Sequence, residues 1–98
     1  MRRREAIRAL KGQAKPVKAF GATALYLFGS TARDAATGLS DLDIFIDYDN
    51  RSNFSLIELV GIKQLLERKL GTSIDLTTRD SLDPLLRNRI EISAERVF

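Results

Sequence analysis

Asp41 and Asp43 stand two residues apart in Ser40-Asp41-Leu42-Asp43-Ile44, at the head of an apolar run. On an extended strand, positions i and i+2 share a face, so the two carboxylates project side by side at the strand's N-terminal end. Two anions held that close resist ionisation unless something positive sits between them. A divalent metal answers that need. Mg²⁺ takes hard oxygen ligands, commonly one or two carboxylates completed by water and substrate phosphates. Taken alone, Asp-x-Asp is more often a solvated strand end. Upstream, Gly29-Ser30 follows the apolar run Leu25-Tyr26-Leu27-Phe28, and ten residues separate Ser30 from Asp41. Free backbone amides where a strand gives way to a helical turn bind phosphates. Glycine lets the phosphate approach the backbone, and serine adds a short hydroxyl donor. Arg33, one turn on, can lean toward the same site or pair with Asp34. Alone, Gly-Ser is a plain turn with a helix cap.

A third carboxylate, Asp75, lies between Ile74 and Leu76 in a strand-like run, where aspartate is disfavoured. If this strand neighbours the second, Asp75 joins Asp41 and Asp43. Three carboxylates around one point hold two metal ions, or one metal and a proton acceptor. The plainer reading is an edge aspartate paired with a nearby Arg or Lys.

The chain contains neither cysteine nor histidine. That excludes disulfides, zinc–thiolate sites, thiol nucleophiles, Ser-His-Asp catalysis and imidazole ligation. Any chemistry must run on carboxylates, hydroxyls, Arg, Lys and a bound ion. At 98 residues, 44% hydrophobic and 30% charged, the chain has the composition of one globular domain over residues 1–98 with a single small core. An oligomer or a bound partner would add stability to so small a core. The net charge of +3 is concentrated at the N-terminus, where Arg2, Arg3, Arg4, Arg8, Lys11, Lys15 and Lys18 face only Glu5. Such a run is usually a solvated helix face. Nucleic-acid binding ranks last among the readings, because no nucleic-acid motif accompanies it. No apolar run approaches membrane-spanning length, and no apolar segment follows the basic start as in a secretory signal. The expected setting is the cytoplasm.

Several elements must position these groups. Ile7, Leu10 and Ala14 give a helix from residue 3 to about 14, broken by Pro16, with a turn at Gly21. Residues 23–28 form a first strand, and a short helical turn runs from Ser30 to Arg33 before a loop through residues 35–38. Residues 41–48 form the second strand, with Leu42, Ile44 and Ile46 on one face and Asp41, Asp43, Phe45 and Asp47 on the other. Ser55-Leu56-Ile57-Glu58 has capping-box spacing and opens the clearest helix, which Gly71 stops. Residues 73–77 are the third strand, a last helix covers 84–90 from Asp83-Pro84, and the tail adds a short edge strand. The order implies a small α/β domain with helices packed on a sheet. Tyr48 could stack on a base, although a strand-end tyrosine is more often packing.

The Gly-Ser, ten-residue and Asp-x-Asp pattern resembles the nucleotidyltransferase superfamily of DNA polymerase beta, and within it the minimal nucleotidyltransferases, or MNT domains. Leu27, Phe28, Gly29, Ser30, Ala32, Arg33, Ser40, Asp41, Asp43 and Ile44 carry the local likeness, and the closing DPLLRNRIEISAERVF is similar too. The resemblance covers nearly the whole chain. Asp34 departs from it, since the family usually has glycine there. A carboxylate at that position would weaken nucleotide binding or pair with Arg33. The resemblance implies a small α/β (α+β) nucleotidyltransferase fold, a mixed sheet of three to four strands with helices against it. It implies transfer of a nucleoside monophosphate, AMP from ATP, to an acceptor hydroxyl. Gly29, Ser30 and Arg33 would hold the nucleotide. Asp41, Asp43 and Asp75 would be the catalytic carboxylates and hold one or two Mg²⁺ ions. The implied partner is a HEPN-domain toxin whose tyrosine is modified, which makes the chain an antitoxin. The competing reading is a binding module that neutralises its partner by contact alone.

Overall fold

The computed structural model describes residues 1–32 and 41–98. Helix α1, Arg3–Lys11, buries Ala6 and Leu10, and Glu5 accepts a hydrogen bond from the Arg2 N–H at 3.2 Å. The expected continuation to residue 14 is not found. The helix stops at Gly12, and a second helix, α2, covers Ala14–Ala19. Pro16 therefore breaks nothing. It lies in the first turn of α2, where a missing N–H leaves no intrahelical acceptor unpaired. Strand β1 spans Ala22–Phe28, helix α3 Gly29–Ala32 and strand β2 Leu42–Tyr48. The expected helical residue Arg33 and the loop through 35–38 lie outside the described residues.

Helix α4, Leu56–Leu70, begins where the sequence signals it. The Glu58 carboxylate accepts hydrogen bonds from the Ser55 N–H, at 3.1 Å, and from the Ser55 hydroxyl. It ends at Gly71 in the left-handed conformation, φ 68°. Strand β3, Ile74–Thr78, runs into a 3₁₀ turn at Arg79–Ser81. The last helix, α5, covers Arg87–Ser93 rather than 84–90. Pro84-Leu85-Leu86 form a turn instead, because Asp83 satisfies their amides first. Its carboxylate takes the Leu85 N–H at 3.0 Å and its carbonyl the Leu86 N–H at 2.9 Å. The edge strand expected at the tail is present as β4, Glu95–Arg96.

The four strands form one mixed sheet in the order β3-β2-β1-β4. β1 runs antiparallel to β2 and β4, and β2 runs parallel to β3. A parallel neighbour needs a crossover, and α4 supplies it. One sheet face, with Leu25, Leu27, Leu42, Ile44, Ile46 and Ile74, packs on Ala6, Leu10, Val17, Ile62 and Leu66 of the helices. Each such side chain contributes about 1.5–3 kcal/mol on burial. A register shift between Ala22 and Ala24 puts one extra residue in β1, so Ala22 joins this core although it is an odd number of positions from Leu25. Among the described residues no helix is long and apolar enough to cross a membrane.

Two surface carboxyls titrate below their ordinary range. Glu58 is held down first by the Ser55 hydroxyl, and Asp80 first by the Thr78 hydroxyl and then by Tyr48. A carboxyl lowered by folding contributes stability above its unfolded pKa and loses it as pH falls through the folded one. We expect stability to drop below about pH 4, and Asp80→Asn and Glu58→Gln each to shallow that acid limb. Urea melts at stepped pH measure it; unchanged limbs in both variants would contradict the assignment.

Candidate active site

β1 ends at Phe28, and the next residue, Gly29, turns the chain into α3 with φ +75°. Side chains rarely tolerate that conformation. Space forbids one as well. A Cβ on Gly29 would overlap the Asp43 carboxylate oxygen and lie 3.0 Å and 3.1 Å from Asp43 Cγ and Cβ. The Gly29 backbone thus rests directly against Asp43. Strand pairing makes the contact, since β1 and β2 place Phe28 opposite Asp43.

On the other side of β2, the parallel register sets Asp75 beside Asp43. The expectation that the third strand neighbours the second is met, and the strand spacing brings the two backbones within about 5 Å. Asp43 is half-buried, whereas Asp75 and Asp41 are exposed. Asp41 directly precedes β2, whose start is fixed by the Leu42 N–H donating to the Ser73 carbonyl at 3.1 Å. Among the described residues no three acidic groups form a finished metal cage. Mg²⁺ does not require one, because water and substrate phosphates complete its shell. Asp43, a hard oxygen donor against a backbone that only glycine can occupy, with Asp41 two residues before it, fits such an ion. Ser30 is half-buried next to Gly29. Arg33 lies outside the described residues, as does Asp34.

A cleft of about 520 Å³ opens beside Gly29. Phe28 and Gly29 form one wall, and Leu86, Arg89, Ile90 and Ser93 of the last helix and its approach form the other. Arg89 was not singled out from sequence. Its only signal was the basic Arg87-Asn88-Arg89 run within the closing segment. A cation on the wall facing Gly29 is suited to an anionic ligand.

The rest of this sheet face is aromatic. Tyr26 stacks on Phe45 at 4.7 Å, and Phe28 tilts against it at 5.6 Å. Phe45, which strand alternation places among aspartates, is completely buried. Tyr48 serves packing: it stacks on Phe54 at 4.7 Å and donates to Asp80 at 2.8 Å, which pushes the phenol's pKa up.

A glycine turn pressed against an Asp-x-Asp strand, on a small mixed sheet backed by helices, defines a minimal nucleotidyltransferase. The chain belongs to the nucleotidyltransferase domain family, whose sequence profile matches residues 7–97. A candidate protein adenylyltransferase of Methanocaldococcus jannaschii is 41% identical over 64 residues, 65% of this chain and 67% of that protein. A solved structure of a candidate minimal nucleotidyltransferase superposes with TM-score 0.82 at 29% identity, covering 97% of this chain and 95% of that one. The fold is also that of a chain in a solved complex of tri-AMPylated Shewanella oneidensis HEPN toxin with MNT antitoxin. There the TM-score is 0.65 at 17% identity, over 94% of this chain and 71% of that one.

Gly29→Ala adds both overlap with Asp43 and left-handed strain. We expect it to remove most nucleotide binding and to lower stability by about 1–2 kcal/mol. Gly71→Ala is its control. Gly71 has φ +68° with nothing within 4 Å of an added Cβ, so only strain applies. Its binding of Mg-ATP should stay at the wild-type value. Equal binding in the two variants would show that the Gly29–Asp43 contact does not matter.

Proposed function

We propose that this chain transfers AMP from ATP to a tyrosine hydroxyl of a HEPN-type partner protein and so acts as its antitoxin in the cytoplasm. The observation that carries the reading is the Gly29 backbone seated against the Asp43 carboxylate, with Asp75 in register beside it. It supports a reading in which phosphates and a metal meet at one point. Gly29 and Ser30 hold the distal phosphates, helped by Arg33. Asp41 and Asp43 would hold Mg²⁺, and Asp75 would complete a second metal position. The bound ions would supply neutralisation of the triphosphate charge. Asp75 takes the proton of the acceptor hydroxyl. The acceptor oxygen forms a bond to the α-phosphorus, the bond from that phosphorus to its bridging oxygen breaks, and pyrophosphate leaves with the electron pair. Catalysis of this kind consists of positioning and charge stabilisation, so a chain without histidine or cysteine suffices. The likeness to a candidate protein adenylyltransferase, and the fold shared with a chain of a complex between an AMPylated HEPN toxin and its MNT antitoxin, support this choice of donor and partner.

The test is silencing of the partner. The purified chain is incubated with the HEPN protein, and residual ribonuclease activity and the mass of the partner's tyrosine peptides are measured. Loss of ribonuclease activity that needs both ATP and Mg²⁺, with AMP on a tyrosine, is the expected result. Silencing without nucleotide or in chelator, with no added mass, would replace the enzyme by a contact-only antitoxin.

A further inference from the structure

Arg79 makes an extensive set of side-chain contacts on the face that carries the cleft. Its guanidinium lies 4.8 Å from the Tyr26 ring centre and 5.0 Å from that of Phe45. Nε and Nη2 donate to the two Asp47 carboxylate oxygens at 2.7 Å and 3.1 Å, and Nη1 donates to Glu91 at 3.1 Å. Arg87 holds the other Glu91 oxygen at 3.0 Å. Asp47 belongs to β2 and Glu91 to α5, so one planar group ties the sheet to the last helix. A fork of donors stacked on rings suits arginine, and a lysine ammonium reproduces neither the fork nor the stack.

Helix α5 depends on such a tie. It has seven residues, and none of them is fully buried. A helix this short is unstable without tertiary contacts. Ile92 is 77% exposed, so apolar packing at that position does not hold the helix down. Yet α5 carries Arg89, Ile90 and Ser93, which form the cleft wall opposite Gly29. Where α5 sits decides where Arg89 sits.

We infer that Arg79 is a positioning residue for nucleotide binding: by bridging Asp47 and Glu91 it docks α5 on the sheet and holds Arg89 toward the phosphate end of the cleft. The inference rests on the nucleotidyltransferase reading and adds two residues to it, Arg89 as a phosphate-facing cation and Arg79 as the group that places it. Neither touches the reacting atoms in this account, so both act on binding rather than on the chemical step.

The experiment is a double-mutant cycle on the full chain with Arg79→Gln, Arg89→Ala and the pair. Mg-ATP affinity is read by calorimetry, KM and kcat by AMP transfer, and α5 mobility by amide hydrogen exchange over residues 87–93. Each single change is expected to raise Kd and KM about tenfold while kcat stays within about threefold. The pair should bind no more weakly than Arg89→Ala alone, and α5 amides should exchange faster in Arg79→Gln. If Arg79→Gln folds poorly, Glu91→Ala removes the helix end of the bridge while leaving the Asp47 pair and the ring contacts, and the same shifts are expected. Wild-type affinity and α5 exchange in both variants would overturn the inference, as would losses that multiply in the pair. A wild-type chain without affinity for Mg-ATP would overturn the functional reading and the inference with it. Affinity present in wild type and untouched by Arg79→Gln or Glu91→Ala would overturn the inference alone.

Discussion

On the proposed function, Asp43→Asn is expected to leave the chain folded and to lower the rate of AMP transfer by about a thousandfold or more. The change keeps the shape of the side chain against the Gly29 backbone and the position of the residue between Phe28 and Asp75 in the sheet. It removes the negative charge, and with it the attraction for a divalent cation. Neutral oxygen donors hold Mg²⁺ far less well than carboxylates. The test compares single-turnover transfer rates with the thermal melts of the same preparations. A variant that melts like wild type and retains more than about a tenth of its rate would remove Asp43 from the metal site. Asp41→Asn should follow the same direction with a similarly unaltered melt, since Asp41 is exposed.

The largest effect on stability should come from Phe45→Ala. Phe45 is 0% exposed and stands between Tyr26 and Phe28, with Arg79 above its ring. Truncating a buried phenylalanine costs about 3–5 kcal/mol. Small domains have about 5–15 kcal/mol in total, and each kcal/mol moves the melting temperature of a domain this size by about 4–8 °C. The variant should therefore melt tens of degrees lower. Leu56→Ala is the comparison, because Leu56 is 72% exposed and its loss should stay within about 0.5 kcal/mol. A Phe45→Ala melt within a few degrees of wild type would mean that the aromatic layer is not part of the core.

The candidate site was legible because its geometry follows from short-range rules. Alternation along β2 sets Asp43 apart from Leu42 and Ile44, and the antiparallel pairing of β1 with β2 carries Gly29 to Asp43 across thirteen intervening residues. The long helix was legible because Ser55, Glu58 and Gly71 mark both of its ends. The two displaced elements have different causes. At the first helix, Gly12 ends it before Pro16 is reached. At the last, the Asp83 carboxylate takes the Leu85 amide and delays the helix to Arg87. The layer over the aromatic face was not legible at all. Phe45 alternates with Asp43 and Asp47, which reads as a solvated face. What buries it comes from β1, through Tyr26 and Phe28, and from Arg79, which is 32 residues from Asp47 in sequence. Arg89 was hidden for the same reason, since its place opposite Gly29 depends on how α5 docks. Long-range partners of this sort leave no local pattern in a single chain.

The most direct measurement follows the two ends of the triphosphate separately. The chain is incubated with the proposed HEPN-type partner, Mg²⁺ and ATP labelled either at the α-phosphate or at the γ-phosphate. Nucleotidyl transfer places the α-label on the partner protein and releases the γ-label as pyrophosphate, and both signals vanish in Asp41→Asn/Asp43→Asn. Label on the partner from γ-ATP, or none from α-ATP with the partner bound, would contradict the account.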